Sequence, residues 1–67
     1  MFIKLTAWER DSDGYPVYLN PLTITAIKAD ASYTNVNTID GGWRVIETPK
    51  EIMSQILKAW QNIILAC

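Results

Sequence analysis

The tetrapeptide Thr48-Pro49-Lys50-Glu51 fixes where this chain changes character. A threonine at a helix N-cap accepts a hydrogen bond from the N–H three residues on, and a glutamate there reaches back to the threonine N–H. Proline suits the first helical position, where its missing N–H would have no partner within the helix anyway. The pattern predicts a helix over residues 49–65. Ile52, Met53, Ile56, Leu57, Trp60, Ile63 and Ile64 recur along it at the helical period and form a wide apolar sector. Ser54, Gln55, Lys58, Gln61 and Asn62 are left as its polar side.

Everything before Thr48 reads as strand and turn. In Phe2–Trp8 the residues Ile3, Leu5 and Ala7 alternate with Phe2, Lys4, Thr6 and Trp8, which is the two-residue period of a strand. Arg10-Asp11-Ser12-Asp13-Gly14 is a turn cluster, with Asp13-Gly14 the dipeptide that tolerates positive φ. Tyr15–Leu19 follows as a strand carrying Pro16, which cannot donate to a ladder and points to an edge position. Asn20-Pro21 interrupts the chain, since a residue before proline avoids the helical region. Leu22–Ala29 is a strand in which Ile24 and Ile27 are out of phase, a pattern that a bulge or a short initial turn would explain. Asp30-Ala31-Ser32 is another turn, Tyr33–Ile39 a polar strand, and Asp40-Gly41-Gly42 the strongest hairpin signal. Trp43–Glu47 completes that hairpin. The expected fold is α+β: a small antiparallel sheet or partly open barrel of about five strands over 2–47, then one C-terminal amphipathic helix, all in a single domain over 1–67.

A chain of 67 residues buries only roughly 60% of its unfolded surface, near the lower limit of independent stability. Domains this small are commonly reinforced by disulfides, a metal or oligomerisation. The single cysteine, Cys67, and the absence of histidine leave oligomerisation as the expected stabiliser. The apolar sector of the helix is wider than the sparse apolar residues of the strands can cover. Ile52, Met53, Ile56, Leu57, Trp60, Ile63 and Ile64 are therefore the expected oligomer interface. Burial of the same sector on the chain's own sheet is the competing reading.

The formal net charge is -1, with acidic and basic residues interspersed. No block of like charge marks a nucleic-acid binder, so nucleic acid is not an expected partner. Met1–Leu5 is too short and too soon charged for a signal peptide. Ile63–Cys67 is far below membrane-spanning length. A cytoplasmic protein with no membrane partner is expected.

Catalytic signatures are missing. Without histidine there is no histidine acid/base or triad chemistry. Asp11 and Asp13 share a turn but lack the rest of a calcium loop. Asp40-Gly41-Gly42 lacks the Lys-Ser/Thr of a phosphate loop. No enzyme, no cofactor and no metal site are expected. The aromatic residues offer more: Trp8, Tyr15, Tyr18 and Trp43, with Arg10 and Arg44 close by in sequence. Aromatic faces beside guanidinium groups suit a stacked base with its phosphate, so these six are the candidate ligand-binding residues. The plainer reading is that Trp8 and Trp43 pack across neighbouring strands or under the helix.

Ile3-Lys4-Leu5-Thr6, then Tyr18-Leu19-Asn20-Pro21 with Ile24 and Ile27, then Asp40 through Thr48 resemble, in order, the motifs of the small flagellar FlbD family. Members open with an I-x-L-T strand, pass through F/Y-x-L-N, and leave a glycine-turn strand through V-x-E-[ST] into an amphipathic helix. The resemblance covers nearly the whole chain and implies the same small β-structure with a C-terminal helix and a cytosolic, non-catalytic role. Three features depart from the family pattern: the longer first hairpin, the more polar strand from Tyr33, and the more apolar helix. Similar small proteins are also typical of phage and mobile-element genomes. Two functions follow as expectations, and a third, a sequence-tolerant single-strand nucleic-acid binder on aromatic platforms, needs a basic groove that the acidic balance counts against. The first is a homo-oligomeric binding or adaptor protein acting through protein–protein contacts. The alternative is a phage-type sponge that sequesters a nucleotide or cyclic-dinucleotide immune signal in intersubunit aromatic and arginine pockets.

Overall fold

The computed structural model describes the backbone of residues 2–66 and the side chains of residues 2–61; the expected interface residues Ile63 and Ile64 and the thiol of Cys67 lie outside the described side chains. Five strands, β1 (Ile3–Ala7), β2 (Tyr15–Leu19), β3 (Ile24–Ala29), β4 (Thr34–Thr38) and β5 (Gly41–Val45), precede one helix, α1 (Pro49–Ala66). The strands form one antiparallel sheet in the order β2-β1-β5-β4-β3. This is the α+β architecture that the alternation and the capping box call for.

The turns follow from local chemistry. Gly14 has φ 82°, and a side chain there would collide with the Ala7 carbonyl, so only glycine closes the first hairpin without strain. Ser12 Oγ donates to Glu9 Oε2 at 2.8 Å and accepts from Gly14 N at 3.1 Å. At the next break Asn20 Oδ1 accepts from Leu22 N at 2.9 Å and starts a single 3-10 turn, Pro21–Thr23. The register of β3 on β4 slips between Ile24 and Ala26. Both the short turn and the bulge are therefore present, and together they return Ile24 and Ile27 to the core side. Pro16 lies on β2, an edge strand.

Several element ends shift by one or two residues from the sequence reading, and the last hairpin shifts most consequentially. The hairpin turn sits on Ile39 and Asp40, so Gly41 and Gly42 already belong to β5. That strand also stops at Val45 rather than Glu47. The cause of the early stop is visible in the ladder. β1 and β5 meet only around Ala7↔Val45. Trp8 N donates to the Arg44 carbonyl at 2.7 Å and Ile46 N to the Thr6 carbonyl at 3.0 Å. Thr6 N then turns to the carboxylate of Glu47, at 2.8 and 3.0 Å to its two oxygens. Beyond it, Lys4 N donates to Gln55 Oε1 of α1 at 3.3 Å. Side chains thus replace a strand along the rest of this β1 edge, satisfying N–H groups that the diverging β5 abandons.

The core comprises Ile3, Leu5, Ala7, Val17, Leu19, Val36, Val45 and Ile52, with Ile24, Ile27, Ile56 and Ala59 packed against it. The helix starts as its capping box requires: Glu51 N donates to Thr48 Oγ1 at 3.2 Å and Thr48 N to Glu51 Oε2 at 3.3 Å. It packs on β1 and β3, bridging two parts of the sheet that are not adjacent in the ladder. Among the described residues, no helix is long and apolar enough to cross a membrane.

Candidate functional site

Two surfaces follow from this arrangement, one on the helix and one on the sheet. Along α1, Ile52 is fully buried in the chain's own core, and Ile56 and Ala59 pack against that core. These residues occupy one stripe. Met53, Leu57 and Trp60 occupy a second, turned about 100° around the axis because each residue advances by that angle. They remain 56%, 59% and 39% exposed. The apolar sector predicted as one interface is therefore divided: Ile52 is unavailable to any partner, and Met53, Leu57 and Trp60 are uncovered.

The uncovered stripe adjoins a mostly apolar groove of about 360 Å³ between α1 and β3, lined by Pro21, Ile24, Thr25, Ala26, Ile27, Met53 and Ile56. Its far wall is β3, the edge strand opposite β2. An apolar stripe, an apolar groove and a strand edge are thus contiguous.

The six candidate ligand residues are distributed over both sides of the sheet. Strand residues alternate faces. Trp43 is opposite the buried Val36, and Arg44 is opposite Asn35, so Trp43 and Arg44, though consecutive, face away from each other. Tyr15 is opposite the buried Ala7, and Tyr18 is opposite the exposed Lys4, which separates these two tyrosines as well. Arg10 sits exposed in the first turn. Trp8 and Arg44 are brought together, and the residue that joins them is Tyr33. The Trp8 and Tyr33 ring centroids are 4.9 Å apart at an interplanar angle of 44°. The Arg44 guanidinium lies 5.0 Å from the Tyr33 ring centroid, within cation–π range. Tyr33 precedes β4 and gave no signal beyond its aromaticity. Glu47 was likewise missed as a structural anchor, although it is the acidic residue of the Val45-Ile46-Glu47-Thr48 segment.

No protein-family model, curated protein sequence or solved structure matches the chain at a significant level.

Proposed function

We propose that this chain is a small, non-catalytic, FlbD-like binding protein that self-associates along α1 and acts through protein–protein contacts. The observation that carries this reading is the second helix stripe, Met53, Leu57 and Trp60, left exposed beside the apolar groove. A second copy is the simplest partner, because a symmetric pair sets the same apolar stripe on both sides of the contact. A 67-residue chain with one cysteine and no histidine also has few other means of reinforcement.

Magnitudes say what such an interface must contain. Covering three half-exposed side chains contributes about 1 kcal/mol apiece, or about 6 kcal/mol across a symmetric pair. Association costs about 4–15 kcal/mol in lost freedom of motion. The stripe alone is too small for a stable pair, so the groove and the β3 edge have to join it.

Light scattering on wild type and Leu57→Asp tests the reading. The expected result is a wild-type multimer at tens of micromolar and a folded, smaller Leu57→Asp species with an unchanged circular dichroism spectrum. A wild-type monomer, or a variant with the wild-type mass, overturns it.

A further inference from the structure

The seven acidic and six basic residues are interspersed along the sequence, but the sheet sorts them. No aspartate or glutamate lies in any of the five strands, whereas Lys4, Lys28 and Arg44 all do. All three occupy the outward phase. Lys4 lies between the buried Ile3 and Leu5; Arg44 precedes the buried Val45; Lys28 follows the core-facing Ile27. The cross-strand registers then assemble a row. Lys28 on β3 is opposite Asn35 on β4, and Asn35 is opposite Arg44 on β5. Trp8 N bonds to the Arg44 carbonyl at 2.7 Å and sets Trp8 beside Arg44. Neighbouring strands are about 4.8 Å apart, so the row runs roughly 14 Å across the outer face. Tyr33 lies diagonal to it, in contact with both Trp8 and Arg44.

Three carboxylates flank this row, and each is engaged within the fold. Glu9 accepts from Ser12 Oγ at 2.8 Å, Asp30 accepts from Ala31 N at 2.9 Å, and Glu47 accepts from Thr6 N. These bonds hold the carboxylates at the margins without removing their charge; the outward face of the strands themselves carries cations and aromatics and no carboxylate, in a chain of net charge -1.

We propose that this outer face binds single-stranded nucleic acid, with bases stacking on Trp8 and Tyr33 and phosphates at Arg44 and Lys28. Stacking tolerates any base because every base presents a π-face, and lysine and arginine follow the backbone charge. The openness of the face favours a strand over a free nucleotide. Small-molecule sites are concave and enclose most of the ligand. Among the described residues, the cavities of about 360, 230 and 220 Å³ are lined by none of Trp8, Asn35, Arg44 or Lys28, and Tyr33 borders one of them. The proposal uses the face opposite the core and does not depend on self-association through α1.

Fluorescence anisotropy with a labelled oligothymidine of about twelve nucleotides, in about 50 mM salt, tests it. Wild type is expected to bind in the micromolar range, with affinity falling as salt rises. Trp8→Ala is expected to weaken binding about tenfold. The exposed Lys28→Ala is expected to reduce the salt slope by about one, whichever oligonucleotide sequence is used. Leu57→Asp is expected to bind as wild type does, which separates this face from the helix stripe. Absence of binding by wild type overturns the proposal. So does wild-type affinity in both Trp8→Ala and Lys28→Ala. Competition by AMP or cyclic di-AMP at concentrations equal to the oligonucleotide also overturns it, and restores a small-nucleotide ligand for the same residues.

Discussion

Ile52 and Leu57 lie on the same helix and in the same apolar sector, yet one has no exposed surface and the other is 59% exposed. The difference comes from what stands opposite each side chain. Ile52 faces the inner row of the sheet, where Leu5, Val36 and Val45 are also fully buried. Leu57 is turned away from that row and stays more than half exposed. Hydrophobic periodicity shows that a side chain seeks cover. It does not show whether the cover belongs to the same chain.

Cutting the buried side of the helix gives the largest expected effect. Ile52→Ala removes a buried side chain and leaves a cavity among packed neighbours, at a cost of about 2–5 kcal/mol in unfolding free energy. For a domain this small that is a large share of its stability, and urea denaturation followed by circular dichroism measures it. A loss under about 1 kcal/mol would mean that α1 is not docked as described.

Removing the tie between the helix approach and β1 comes next. Glu47→Ala leaves the part-buried Thr6 N–H without its carboxylate partner, at an expected cost of about 1–3 kcal/mol. Amide exchange at Thr6 sharpens the point, because its protection is expected to fall in this variant more than that of Leu5 or Val36. Equal loss across the sheet would show that Glu47 acts on global stability only.

The smallest expected effect on folding belongs to the exposed side. Leu57→Asp changes the unfolding free energy of the monomer by at most about 0.5 kcal/mol, as a surface substitution does. The comparison is made at concentrations where wild type is also monomeric. A drop as large as that of Ile52→Ala would place Leu57 in the core and end the distinction between the stripes.

Much of the fold was legible in the sequence. The capping box on Thr48 and Glu51 is a local exchange of hydrogen bonds, and both bonds are present. The Asp13-Gly14 turn is legible for the same reason, since a positive φ at glycine is a property of the residue itself. Even the phase conflict between Ile24 and Ile27 was readable, because a strand has a strict two-residue period and any violation needs a bulge or turn. The end of β5 was not readable. Its extent depends on how far β1 stays alongside, and the two diverge beyond Ala7↔Val45.

The candidate ligand residues show the same limit at finer scale. Proximity in sequence suggested Trp43 with Arg44, but consecutive strand residues face opposite ways, and the register gives Arg44 to Tyr33 and Trp8 instead. Tyr33 could be chosen from among the tyrosines only after the strand order was known.

The sequence by itself determined the elements of this protein, their turns and the amphipathic character of the helix, because each is set by hydrogen bonds and sterics within a few residues. Tertiary structure alone decided that Glu47 and Gln55 complete the β1 edge, that the apolar sector of α1 is half covered, and that strand-borne cations share one face while carboxylates occupy the turns and helix. Those outcomes depend on strand order and register, which join residues more than forty positions apart, as in the Thr6–Glu47 bond.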